Sequence, residues 1–588
     1  MSLGKVIFKN KKCIMRSEGS ICKKTRELLA SELFAEVTAR FIEHLRKHDS
    51  PLMAVFDGKE ADKEMIDCLV DTLGMLGVVS ADKVAAMSPE TAIFLKNPEL
   101  LNDFVEGLYN YWRNFDRFLI CRSRKRKRDV KGASPYRVFN EAMGKFTRTV
   151  RGAYRDVQEN ITDRHCRIYR QVSAGSQVGL IEVEVEWPCP KGPYNMLRSI
   201  PMIRQVLLNP PLIIDPPMNK RTGRFQKVET NPLEGWNVET DEWLCYPARV
   251  GPLLVHIYFN QTFLELGCSL ANLFELAEAD DLDKKPDAIC MYGVPGETLY
   301  RYGPLPTVFY DDTENEILVG AIPGKLEFGY FGYLKKMVLT LHNIVMMKRE
   351  RMPCHGAMVH VLLKNGRKAT VLLIGDTAAG KSETLEALRV LSDEYIRDMI
   401  IIADDMGSLE IDPDGGILGY GTETGAFVRL DDLQPGYAFG QIDRAIIMSP
   451  QRINARAIIP VTTLANISRG YQIDFLLYAN NYEEVDEDHP VVERFHSIDD
   501  AIRVFREGMV MAKGTTTSTG IVHTYFANIF GPPQYRDLHD HLASKHFQAA
   551  FDRGVFVGQI RTRLGISGWE TRGPEEGAKT LFNIISSL

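Results

Sequence analysis

The chain has 588 residues, too many for a single hydrophobic core, so two to four domains are expected. With 45% hydrophobic and 25% charged residues, it cannot be a wholesale disordered chain, a collagen-like rod or a small disulfide scaffold. A net charge of −6 gives no general attraction for polyanions, so no nucleic-acid partner is expected and any phosphate site must be local.

The first 120 residues read as helices. Leu28, Leu29, Leu33, Phe34, Val37, Phe41 and Leu45 recur at helical spacing, and Ile66 to Met75 does the same. Tyr109 to Phe118, rich in aromatics, reads as a packed helix. The basic run Arg122 to Arg128 has no interleaved aromatics and reads as a solvated loop. Residues 1–178 thus form a helical N-terminal region, a candidate for a homo-oligomer contact. Leu180 to Trp187 alternates as a half-buried strand does, and the Pro-rich Asn209 to Pro217 reads as loop or short edge strand. Short apolar runs broken by Gly and Pro continue to residue 330, so 179–325 is expected to be an α/β domain.

Leu334, Met337, Val338, Leu341 and Val345 predict a helix, after which strand and helix patterns alternate through a third region, 326–588. Glu483 to Asp488 reads as an exposed loop, and His539 and His541 as residues of a surface helix. The fold class expected is α/β with mixed sheets. None of the ten cysteines forms a Cys-x-x-Cys pair, and no run of about 18 apolar residues or secretory signal occurs. A cytoplasmic protein with reduced thiols and no membrane partner is expected.

The strongest chemical signal is an apolar run ending in Gly375-Asp376-Thr377-Ala378-Ala379-Gly380-Lys381-Ser382-Glu383, with a helical pattern behind it. Two glycines let such a loop curl so that backbone N–H groups and a helix N-terminus face phosphate oxygens. Lys381 would neutralise the β- and γ-phosphates of ATP or another nucleotide, and Ser382 would hold Mg²⁺. The strand pattern Met399 to Asp405 ends in two carboxylates, Asp404 and Asp405, where a second metal contact is expected beside such a loop.

These residues resemble the superfamily shared by phosphoenolpyruvate carboxykinase and HPr kinase/phosphorylase. His355-Gly-Ala-Met-Val-His360, the loop 375–383 and Ala403-Asp-Asp405 are worded most like HPr kinase. The longer architecture is similar to the ATP-type carboxykinase: Tyr330 precedes Lys335-Lys336, and His355 follows Lys336 by 19 positions, as in that family. Asn454-Ala-Arg456 and Pro460 look like its Asn-Thr-Arg element, Ile566-Ser-Gly-Trp569 partly echoes its Thr-Gly-Trp, and Thr222-Gly-Arg224 resembles its substrate arginine motif.

The resemblance implies a carboxykinase-like, P-loop-containing C-terminal domain, an N-terminal α/β domain and a helical extension. It implies Mn²⁺ on Lys336, His355 and Asp405, with Arg456, Tyr330 and Arg224 on the substrate. Lys336, Lys381, Arg456 and Asp404 would carry the chemistry. The expected reaction interconverts oxaloacetate plus nucleoside triphosphate with phosphoenolpyruvate, CO₂ and nucleoside diphosphate, a gluconeogenic step. The alternatives are an HPr-kinase-like kinase that phosphorylates a hydroxyl of a protein or small metabolite, with Asp404 as base, and a degenerate nucleotide-binding regulatory protein. The loop ends Lys-Ser-Glu where the carboxykinases have Lys-Thr-Thr, and Gly514 to Gly520 lacks their adenine-contacting Arg, which leaves the nucleotide base open.

Overall fold

A computed structural model describes residues 5–17, 24–123, 135–222, 225–304, 306–390, 395–430, 440–512 and 520–587. Arg224, residues 124–128 of the basic run and positions 513–519 lie outside the described residues. The protein is α/β with several mixed sheets, and it divides into two units: Met1–Glu184 with Ile203–Pro210, and Val185–Met202 with Pro211–Leu588.

In the first unit, strands β1 (Val6–Lys9), β2 (Lys12–Ser17), β3 (Asp116–Ser123) and β4 (Val178–Val183) are neighbours in chain order. β1 and β2 form a hairpin, while β2–β3 and β3–β4 are parallel and so need long crossovers. Helices supply them: α1 (Thr25–Leu29), α2 (Glu32–Lys47), α3 (Lys63–Leu76), α4 (Pro98–Arg113) and α5 (Pro135–Thr162). α2 buries Leu33, Val37, Phe41, Ile42 and Leu45 on one stripe, and Ser31 caps it by accepting from the Phe34 amide at 3.2 Å.

The expectation of helices throughout the first 120 residues is corrected at β1, β2 and β3, whose apolar runs are too short for periodicity to tell strand from helix. Tyr109 to Phe118 is helical only as far as Arg113. The half-buried strand expected over 180–187 is β4 instead, which ends at Val183 and is buried throughout. Its acidic position is tolerated because Arg16 and Arg122 pair with the buried Glu182 at 3.4 and 3.1 Å.

In the second unit, one mixed sheet contains β5 (Trp243–Val250), β6 (Leu253–Asn260), β7 (Ala288–Val294), β8 (Val308–Asp312) and β9 (Ile317–Pro323), in the order β5-β6-β7-β9-β8. Helix α6 (Phe331–Lys348) follows, buried on nearly every face and not only along the expected stripe. The sheet that carries the phosphate loop contains β10 (Met352–Leu363), β11 (Lys368–Ile374), β12 (Ile396–Ile411), β13 (Ile417–Gly421), β16 (Phe475–Asn480) and β17 (Phe556–Arg561), in the order β13-β12-β10-β11-β16-β17. A small sheet pairs β14 (Gly425–Arg429) with β15 (Arg456–Pro460) and ends on Leu212–Ile214, within the Pro-rich stretch. Helix α7 (Lys381–Val390) leaves the loop after β11, and α8 (Arg536–Asp552) packs against the same sheet.

The surface-helix expectation is corrected at His539, which is fully buried in α8 with its Nε2 at 3.1 Å from the Pro353 carbonyl. Burial pushes its pKa down to about 4, so it serves as a neutral core residue. No helix among the described residues is long and apolar enough to cross a membrane.

Candidate functional site

Strand register builds the site. Ile374 at the end of β11, Gly356 on β10 and Asp405 on β12 form one row across three strands. The phosphate loop starts immediately after Ile374, so the row brings that loop and the acidic pair to the same end of the sheet. The two carboxylates sit in mid-strand rather than at the strand end expected from sequence.

In a regular strand, adjacent side chains face opposite sides. Asp405 breaks the alternation with φ at 131°, and a register shift between β10 and β12 falls three residues earlier, at Ile402. Backbone of that kind costs about 1–3 kcal/mol and persists where the surroundings over-determine it. Lys335 acts electrostatically on both carboxylates.

Asp405 is the hub. Its Oδ2 accepts from Lys335 Nζ at 2.5 Å, and its Oδ1 lies 2.9 Å from His355 Nε2. Burial alone would raise its pKa, but Lys335 and His355 outweigh that and hold it well below the usual range. Asp404 goes the other way: burial and the neighbouring Asp405 charge raise it, and its Oδ1 accepts from Ser382 Oγ at 3.3 Å.

His355 Nδ1 meets the carbonyl of Ala527, which can only accept, so Nδ1 carries a hydrogen. The remaining nitrogen, Nε2, then faces a carboxylate oxygen. That contact is favourable only with a cation, a proton or a metal ion, between the two atoms. The donor set therefore fits a divalent ion. No group of three or more His, Cys, Asp or Glu that could hold a metal occurs among the described residues, so a third protein ligand would be of another type, such as an amine.

Lys336 is suited to that role. Its Nζ lies over the Phe530 ring, 4.7 Å from the centroid. Burial, with Arg221 and Lys335 nearby, lowers its pKa to about 8, which brings the neutral amine within reach near physiological pH. Lys335 behaves oppositely. Burial works against its charge, but Asp405 and Glu423 more than compensate and keep it an ammonium.

The turn that carries Phe530 is itself unusual. Phe526, Ala527 and Asn528 are three consecutive left-handed residues, at φ 42°, 56° and 63°. Only this path delivers the Ala527 carbonyl to His355 and the Phe530 ring to Lys336. Thr524, at its start, donates to Asp376 Oδ2 at 3.1 Å and so ties the turn to the phosphate loop.

The loop from Gly375 to Glu383 curls tightly between β11 and α7. Ala378 and Gly380 have positive φ, and a Cβ at Gly380 would lie 2.7 Å from Thr562. Lys381 Nζ donates to the carbonyls of Gly375 and Asp376 at 2.6 and 3.1 Å, beside the N-terminus of α7. Asp376 is buried, Oδ1 accepting from the Thr377 amide at 2.7 Å. Thr377 and Ser382 are exposed at the mouth, and Ala379 is buried against the sheet. Glu383 lies in the first turn of α7, where the helix dipole favours an acid.

A second aromatic ring, that of Phe427, gathers three further side chains. Arg456 and Lys335 lie 5.4 and 5.8 Å from the centroid of Phe427, and the Tyr330 ring lies 6.0 Å away. Arg456 Nε is buried with no hydrogen-bond partner among the described residues. The first residue of the Thr-Gly-Arg motif is pinned to α6, since the Thr222 amide donates to Tyr333 Oη at 3.0 Å. Trp569 of the C-terminal echo stacks under Arg563 at 3.7 Å.

Four contributors escape sequence reasoning: Lys335 as the ion-pair partner, Glu423, and the rings of Phe427 and Phe530. The Lys335-Lys336 doublet is a usable signal for the first. Nothing local marks the other three, because their neighbours come from distant strands and turns.

Glu423 is fully buried, 3.6 Å from Lys335, and neither carboxylate oxygen has a hydrogen-bond partner among the described residues. Burial raises its pKa to about 8 from an ordinary 4.5. Between those values the folded chain holds a proton that the unfolded chain releases, so folding stability falls as pH rises through that window. Glu423→Gln should remove the loss. Denaturation midpoints at pH 5 and pH 8 should drop further in the native chain than in the variant, and parallel pH profiles would refute this account.

No family model matches the chain, and no curated protein matches it at significant similarity.

Proposed function

We propose that the chain is a phosphoenolpyruvate carboxykinase-like enzyme, with a nucleotide- and metal-binding domain over residues 326–588 and a substrate-side domain over 179–325. It would interconvert oxaloacetate plus nucleoside triphosphate with phosphoenolpyruvate, CO₂ and nucleoside diphosphate. The supporting observation is that Asp405 meets the His355 imidazole at 2.9 Å and acts electrostatically on the near-neutral Lys336 amine, while its neighbour Asp404 contacts Ser382 of the glycine-rich loop.

A divalent ion such as Mn²⁺ on Lys336, His355 and Asp405, with nucleotide-bound Mg²⁺ at Ser382 and Asp404, would supply Lewis-acid polarisation when bound. The chain's own groups do the rest. Lys335 keeps its charge and offsets the acidic cluster as an anionic substrate enters. Loss of CO₂ from oxaloacetate leaves an enolate oxygen, which attacks the γ-phosphorus in line while the bond to the nucleoside diphosphate breaks. Arg456, held over Phe427, and Lys381 stabilise the charge that develops on the transferring phosphoryl oxygens. Decarboxylation generates the nucleophile, so no general base is required.

One observation favours a second reading. Asp404, its pKa raised and its Oδ1 on Ser382, would act in that reading as a kinase base for a hydroxyl substrate. The test is to incubate the protein with phosphoenolpyruvate, bicarbonate, Mn²⁺ and ADP or GDP. Oxaloacetate, detected by coupled reduction to malate, is the expected product. If only phosphorylated hydroxyl compounds form from a triphosphate, and Asp404→Asn abolishes them, the lyase reading fails and the kinase reading holds.

A further inference from the structure

The glycine-rich loop is anchored to the sheet by two side chains that the chemistry above does not use. β11, β16 and β17 are neighbours, and the loop leaves the end of β11. Asn481 and Thr562 are the first residues beyond β16 and β17, and both side chains are fully buried. Asn481 Nδ2 donates to the Ala378 carbonyl at 2.8 Å, and Thr562 Oγ1 donates to the Ala379 carbonyl at 2.7 Å.

In a trans peptide the C=O and N–H of one plane point in opposite directions. Anchoring the Ala378 carbonyl therefore turns the Ala379 amide away from Asn481, and that amide closes a turn onto the Asp376 carbonyl at 3.0 Å. Anchoring the Ala379 carbonyl likewise turns the Gly380 amide away from Thr562. The path requires Ala378 at φ 65°, a left-handed conformation that is costly for a residue with a Cβ but not for glycine. The hydrogen bond from Asn481 offsets that cost.

The Asn481 amide has no freedom to turn elsewhere. Its Nδ2 also donates to the Met511 carbonyl at 3.0 Å, and its Oδ1 accepts from the Met511 amide at 2.8 Å. Both N–H groups and the oxygen are thus committed, so the donor aimed at Ala378 is fixed in place. Leucine has similar bulk and can make none of these bonds. We propose that Asn481 is a positioning residue for phosphate binding, holding Ala378 in the left-handed conformation that shapes the loop. This rests on the reading of residues 375–383 as a phosphate-binding loop.

The test titrates the full chain with tripolyphosphate and Mg²⁺ by calorimetry, which needs no turnover. Asn481→Leu should weaken binding by about tenfold while the far-ultraviolet circular dichroism of the native chain is retained. The same substitution made in a chain that carries Ala378→Gly should cost less than about threefold, because glycine takes the left-handed conformation without the hydrogen bond. General loosening of the fold would instead leave the larger loss in both backgrounds. Asn481→Ala, which leaves room for water at the Met511 groups, serves as the second variant should the leucine fail to fold. Unchanged affinity in a folded Asn481 variant, or a loss that is equal in the two backgrounds, overturns the proposal and leaves the loop a phosphate site. A native chain that binds no tripolyphosphate overturns it by removing the phosphate-binding reading itself.

Discussion

Lys336→Met should lower oxaloacetate formation by about 10²–10³-fold and weaken Mn²⁺ binding, with nucleotide affinity held within a few-fold. The substitution keeps an unbranched apolar side chain and removes the nitrogen that lies over Phe530. The pH dependence separates a ligand from a bystander. With the amine titrating near 8, a proton competes with the metal below that pH, so Mn²⁺ affinity should climb with pH and level off above about 8. The Met variant should lose that limb of the profile.

The same shift makes a stability statement with its sign fixed. The ordinary lysine value is 10.5, so between about 8 and 10.5 the unfolded chain binds the proton and the folded chain does not. Stability therefore gains with rising pH across that window, and the gain should vanish in the variant. Electron paramagnetic resonance titration of Mn²⁺ checks the affinity. An unchanged dissociation constant and an unchanged pH profile would remove Lys336 from the metal site.

The second large effect is on folding and belongs to the first unit. Arg117, on β3, is 1% exposed and has no carboxylate among its described hydrogen-bond partners. Its guanidinium donates to five carbonyls, those of Gly175, Trp112, Arg113, Phe115 and Ser173, at 2.6 to 3.4 Å. Two of these close the C-terminal end of α4, where carbonyls lack helical partners and the helix dipole is negative. Burial lowers its pKa to about 10, which still leaves it charged at neutral pH.

Arg117→Met fills similar space but removes the guanidinium from all five acceptors, of which only the Trp112 carbonyl keeps another donor among the described residues, the Phe115 amide at 3.3 Å, and each buried orphan costs about 1–3 kcal/mol before relaxation. We expect a net loss of about 3–5 kcal/mol, at the severe end for a single substitution. Arg117→Lys should recover only part of it, since three N–H groups on a point charge cannot span the fork. Urea denaturation followed by circular dichroism provides the measurement. A loss below 1 kcal/mol for the Met variant would show that the carbonyls find water or other partners.

Much was legible in the sequence because the informative features are local. The phosphate loop is contiguous from Gly375 to Glu383, its strand and helix flank it directly, and its glycine at 380 is required by a backbone angle. Helices α2 and α3 follow from 3.6-residue periodicity and capping side chains within three residues. The short strands at 6–17 and 116–123 were not legible, since runs that brief satisfy either period. Arg117 and His539 look like surface residues by type, yet distant backbone carbonyls make their burial favourable.

What the sequence alone determined about this protein is its local structure: a glycine-rich loop between a strand and a helix, an acidic strand and an amphipathic helical region, each encoded by neighbours a few positions apart. Only the tertiary structure decided which lysine neutralises Asp405 and which is left to lose its proton, because that choice depends on how α6 is rotated against β12. The same is true of Glu423, Phe427 and Phe530. Their electrostatic and aromatic roles arise from desolvation and from contacts across more than 80 residues of chain, and neither quantity exists until the sheets have closed.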